Sequence, residues 1–110
     1  MNSKIIKIGE KEVGFKINAA IFYLYKETFG EEYLIDLEKI NKKYEGKERN
    51  LCLQSLYRME WCMAYLYDKS IPPIMNWLEQ FPLGTYKPDK VWSELLPLIE
   101  DDIKVDRKND

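Results

Sequence analysis

Leu51-Cys52-Leu53-Gln54-Ser55-Leu56-Tyr57-Arg58-Met59-Glu60-Trp61-Cys62-Met63-Ala64-Tyr65-Leu66-Tyr67 is the stretch on which the fold turns. Cys52, Leu56, Met59, Met63 and Leu66 recur at helical spacing as one apolar stripe. Leu53, Tyr57, Ala64 and Tyr67 make a second stripe beside it, and Trp61 and Tyr65 widen the set. A helix apolar over so broad an arc must be covered on more than one side. The spacing therefore predicts a central helix from about Arg49 to Asp68, with the other elements packed around it. Gln54, Arg58 and Glu60 interrupt the pattern sparsely. Glu60 reads as a carboxylate on the narrow solvent-facing strip, paired with a basic neighbour; the alternative is a buried carboxyl of raised pKa able to act as a general acid.

Beyond the central helix, Ser70-Ile71-Pro72-Pro73 breaks the chain and restarts it, since proline suits the first turn of a new helix and not its interior. A short helix ending near Phe81 follows, then a loop at Pro82-Leu83-Gly84-Thr85. The last helix opens at Pro88 or Asp89 and carries Val91, Trp92, Leu95, Leu96 and Ile99. Pro97 falls inside that pattern and predicts a kink or an early end. The residues from 102 to 110 are charged and read as a flexible, disordered tail.

Before the central helix, alternation does the work that helical spacing does after it. Ile6 and Ile8 share one face of a strand, and Val13, Phe15 and Ile17 share one face of the return strand, with Gly9-Glu10-Lys11 as the turn. A β-hairpin over about residues 3–17 follows, and an isolated hairpin needs helices to pack on. Asn18 is placed as an N-cap, with Ile17 and Phe22 as a hydrophobic staple. The first helix then runs from Ala19 to about Phe29, where Gly30 ends it. A second helix from about Glu31 to Tyr44 carries Tyr33 or Leu34, then Leu37 and Ile40, and Gly46 stops it. The fold class is thus mainly α: one domain over residues 1–101, an N-terminal hairpin followed by a compact bundle of about five helices.

Composition limits the function. With 110 residues there is room for one core. A net charge of −2 gives no field to attract a phosphate backbone, so nucleic acid coating is not expected. No apolar run approaches the roughly 20 residues of a membrane span, and the lysine-interrupted start is not a secretory signal. Cys52 and Cys62 read as reduced thiols, because ten positions along one helix are about 15 Å apart, too far to bridge.

Chemistry is scarce. The chain has no histidine, the commonest acid–base group and zinc ligand, so no Ser–His or Cys–His pair is available. The five glycines are scattered and form no phosphate-binding loop. No catalytic, cofactor-binding or metal-binding residue is assigned, and no cofactor is expected. The basic run Lys39, Lys42, Lys43, Lys47 and Arg49 is interleaved with Glu38, Glu45 and Glu48, which favours a solvated helix end over a nucleic-acid patch. Binding is another matter. Ile74, Trp77, Leu78 and Phe81 crowd a helix of two to three turns, and Trp92 and Leu96 follow. So short a helix docks on the core or on a partner. Tryptophan is enriched among interface anchors, and these six are the candidate partner-binding residues.

Taken in order, several features resemble the tail assembly chaperones of long-tailed bacteriophages and prophages. They are the hairpin leading into Phe15-Lys16-Ile17-Asn18, the aromatic helix ending Tyr25-Lys26-Glu27-Thr28-Phe29-Gly30, and the central Leu56-Tyr57-Arg58-Met59-Glu60-Trp61-Cys62-Met63-Ala64. Ser70-Ile71-Pro72-Pro73 with Trp77-Leu78-Glu79-Gln80-Phe81 comes next, and then a closing helix from Trp92 to Ile99. The likeness spans roughly residues 5 to 100. It implies a non-enzymatic factor that binds the tape measure protein, keeps its helices soluble, and helps tail tube subunits polymerise around it. The major tail tube protein is a second implied partner. Action in the bacterial host cytoplasm is implied, without retention in the mature virion. Self-association is also expected, since an apolar surface can pair with its own copy before a partner arrives. The alternative is a small helical regulator or nucleic-acid adaptor of a mobile element, using the Lys39–Arg49 region.

Overall fold

The computed structural model describes residues 2–45 and 53–108, with side chains over 2–40 and 53–100. Two strands, β1 (Ser3–Ile8) and β2 (Lys11–Lys16), form an antiparallel hairpin, and five helices follow among the described residues: α1 (Ala20–Phe29), α2 (Tyr33–Glu45), α3 (Leu53–Tyr67), α4 (Ile74–Glu79) and α5 (Pro88–Lys108). The strands pair from Ser3 opposite Lys16 to Ile8 opposite Lys11. This register puts Ile6, Ile8 and Phe15 on the buried face, as strand alternation requires.

The centre of the molecule is α3, against which β2, α1, α2, α4 and α5 all pack. Every residue from 59 to 64 is buried. Six consecutive positions sweep more than one full turn of a helix, so the middle of α3 is enclosed on all sides. Its ends meet water, with Leu53, Gln54 and Tyr67 exposed, and Ser55, Tyr57, Arg58 and Tyr65 are half-buried. The Tyr67 ring lies over Gly14 of β2, where a Cβ would fall 2.2 Å from a ring carbon. A residue without a side chain at position 14 is what lets helix and strand approach there.

Capping follows the sequence with small shifts. Asn18 Oδ1 accepts the amide of Ala20 at 2.9 Å, but α1 starts one residue later than read, and the residue in the cap position is Ala19, not Asn18. Phe22, the expected staple partner of Ile17, packs edge-on against Tyr33 of α2 with ring centroids 5.6 Å apart. Gly30 closes α1 at φ 76°, a left-handed conformation that favours glycine, and donates to Lys26 O. Between α1 and α2, the Tyr25 hydroxyl donates to the buried Asp36 carboxylate at 2.6 Å. Lys39 approaches the same carboxylate at 3.9 Å.

Pro97 does not end α5, which runs on to Lys108 and so into the charged segment read as a flexible tail. Proline lacks the N–H that Ser93 O would otherwise accept. Both residues lie on the exposed side, where water can take that carbonyl, while Leu95, Leu98 and Ile99 hold the helix to the core on either side of the break. Gly46, read as the stop of α2, and Cys52, read into the central stripe, lie outside the described residues, as do Lys47 and Arg49.

Candidate functional site

The six residues singled out on α4 and α5 are mostly spent inside the protein. Trp77, Phe81 and Trp92 are buried, and Ile74, Leu78 and Leu96 are half-buried against the same core. This answers the choice left open by the short helix: α4 docks on its own chain. Trp77 is anchored by edge-on contact with Phe81 at 5.4 Å and with Tyr86 at 5.6 Å. Tyr86, from the loop between α4 and α5, also meets Phe81 at 5.2 Å and Tyr57 of α3 at 5.8 Å. At the start of this segment the Trp61 indole donates to Pro72 O at 3.0 Å, tying the break before α4 to α3.

Under this aromatic cluster lies Glu60, with 0% of its surface exposed. The reading of Glu60 as a solvent-strip carboxylate is corrected here: the helix has no solvent strip at that level, because α5 and the α4–α5 loop cover it. Its Oε1 accepts the Tyr86 hydroxyl at 2.7 Å, and its Oε2 has no hydrogen-bond partner among the described residues. Burial pushes the Glu60 carboxyl well above the carboxylate range; the Tyr86 bond opposes that, and the nearby charge of Asp89 adds to it. Burial first, then the charge of Glu60, push the Tyr86 phenol up in turn. Chemically this is a proton-holding pair of a fully buried carboxyl and a half-buried tyrosine. The surface cavities of about 230, 400 and 500 Å³ are lined by other residues.

Elsewhere the thiol of Cys62 is buried and pushed up to about 12 by that burial. Among the described residues, no three metal-ligating side chains converge, and no helix is long and apolar enough to cross a membrane. Of the basic run, Lys39 pairs with Asp36, and the other side chains lie outside those described.

No protein-family model, curated protein or solved structure matches this chain.

Besides Ile5, Leu53, Tyr67, Met75 and Leu83, the large apolar side chains left in water lie on α1 and α2. Tyr23 is 73% exposed, Phe22 47%, Leu34 61% and Ile35 55%. The Phe22–Tyr33 contact joins the two helices, and Leu34 and Ile35 follow Tyr33 directly in the chain. Of the two residues between which the sequence left the choice, Tyr33 is buried and Leu34 is not. A signal for this surface was present: Tyr33, Leu34, Ile35 and Leu37 are four apolar residues in five positions, more than one helix face can turn inward. Tyr86 carried no such signal, being one tyrosine in a loop with no periodicity to place it.

Proposed function

We propose that this chain is a non-enzymatic assembly factor of the tail assembly chaperone kind. In this reading it binds the tape measure protein of a long-tailed phage or prophage, keeps it soluble, and assists tail tube assembly in the host cytoplasm. The observation that carries the proposal is the large apolar side chains held in water on two neighbouring helices, α1 and α2, while Trp61, Trp77 and Trp92 are all buried. Support also comes from the order of hairpin, aromatic helix, central helix, proline break and closing helix described above.

The docking face in this reading is Phe22, Tyr23, Leu34 and Ile35, not the α4 residues, which already fill the core. Two neighbouring helices with projecting aromatic and aliphatic groups can take the apolar stripe of a partner helix. A client helix held this way is kept from pairing with its own kind.

Co-expression with a tape measure protein tests the proposal. A soluble complex is expected, weakened by Tyr23→Lys with Leu34→Lys while the melting temperature of the chaperone alone stays within a few degrees, as surface changes do. A chain that leaves the tape measure insoluble and binds no tail protein sinks the proposal.

A further inference from the structure

Among the described residues, the outer edge of β1 pairs with no other strand, and it lies along a basic groove. Strand pairing runs from Ser3–Lys16 to Ile8–Lys11, and one step further the Ile17 amide donates to Asn2 O at 2.9 Å. Antiparallel strands alternate residues that exchange hydrogen bonds with residues that do not. Asn2, Lys4, Ile6 and Ile8 therefore bond across to β2, and Ser3, Ile5 and Lys7 turn their N–H and C=O groups outward. The sheet has two strands among the described residues, and no described backbone hydrogen bond outside the ladder uses those three.

Beside this edge is a cavity of about 230 Å³ between β1 and the start of α5, lined on one side by Lys7 and on the other by Lys87, Lys90 and Glu94. None of the three lysines is in an ion pair among the described residues. Lysine on an edge strand guards against indiscriminate pairing. That accounts for Lys7, but Lys87 and Lys90 stand across the groove on another element, along the space an added strand would enter. Ile5, 55% exposed, supplies an apolar contact on the outer face.

We propose that this edge accepts an extended acidic protein segment as a third strand, with main-chain bonds to Ser3, Ile5 and Lys7, carboxylates facing Lys87 and Lys90 on the core side, and apolar side chains on the outer face beside Ile5. Main-chain pairing supplies affinity without regard to sequence, and the charge selects an acidic partner. A second copy of this chain is the poorer occupant: Ser3-Lys4-Ile5-Ile6-Lys7-Ile8 has two lysines and no carboxylate, so pairing β1 with β1 sets like charges together. The site is separate from the α1–α2 face and does not depend on what binds there.

The test uses the full chain and two synthetic peptides, one alternating Val and Asp, the other alternating Val and Lys. The expected result is binding of the acidic peptide alone, with slowed hydrogen exchange at the Ile5 and Lys7 amides. Lys87→Glu with Lys90→Glu should weaken that binding about tenfold or more. Ile5→Pro removes an N–H the hairpin does not use, so folding should persist and peptide binding should fall. If Ile5→Pro does not fold, the double lysine variant, altered only at exposed side chains, carries the test. Equal binding of both peptides, or acidic-peptide binding unchanged in the double lysine variant, overturns the proposal. Displacement of the acidic peptide by a single-stranded oligonucleotide that binds tighter, or a concentration-dependent dimer that protects the same amides without peptide, overturns it too.

Discussion

Tyr86→Phe tests the buried pair at the heart of the molecule. The substitution keeps the ring, and with it the contacts to Trp77, Phe81 and Tyr57, and removes only the hydroxyl that donates to Glu60 Oε1 at 2.7 Å. Glu60 Oε2 already lacks a partner, so the variant leaves the whole carboxyl unbonded in a site that water does not reach. Leaving a buried polar group unsatisfied costs about 1–3 kcal/mol. At roughly 4 °C per kcal/mol for a domain of this size, the melting temperature should fall by about 4–12 °C. The pH dependence gives a second readout. The folded pKa of Glu60 lies above its ordinary 4.5, so between the two values the folded chain holds a proton that the unfolded chain has released. Stability from this group is therefore complete below about 4.5 and is lost as pH rises toward the folded value. Glu60→Gln keeps an oxygen for Tyr86 but cannot ionise, so it should remove that slope and be the more stable form at the alkaline end. Thermal melts by circular dichroism from pH 4 to 9 measure both effects. A Tyr86→Phe variant melting within a degree of the parent, together with a Glu60→Gln variant of unaltered pH slope, would refute the reasoning and mean that Glu60 reaches water.

Trp77→Ala should cost about 3–5 kcal/mol in urea denaturation, as loss of a buried ring does; a loss under 1 kcal/mol would return Trp77 to the list of interface residues. Cys62 should resist a thiol reagent in the native protein at pH 8 and react once the chain is unfolded, because the neutral, buried thiol is a poor nucleophile; fast labelling of Cys62 in the native chain contradicts the enclosed α3.

Periodicity made the elements legible and left their outer faces undetermined. The alternation of Ile6, Ile8, Val13 and Phe15 and the double stripe on α3 placed the hairpin and the central helix, because burial on one face or all round leaves a mark at fixed spacing. Short apolar segments carry no such directional mark. Trp77 on a six-residue helix, and Phe81 just after it, look alike whether the covering surface is the chain's own or a partner's, and here it is Tyr86 and the chain's own core that cover them. Glu60 misled for a related reason. One carboxylate on an apolar helix reads as marking the wet side, and only the tertiary arrangement brings Tyr86 to it from 26 positions away. Pro97 shows the opposite case: a strong local breaker was overridden because apolar residues on both sides of it have a core to rest on.

That β1 rests beside α5, the first and last elements among the described residues, has a bearing on how this part of the chain is made. Lys4 Nζ donates to Glu94 O across 90 positions of sequence, and α3 is sheathed only when the hairpin and α5 are both in place. A ribosome adds about 5–20 residues each second, so the hairpin waits roughly 4–16 s for the eighty or so residues that complete its support. Through that interval Ile6 and Ile8 have no finished interior to enter, and the nascent chain passes its most aggregation-prone moment before its closing helix emerges.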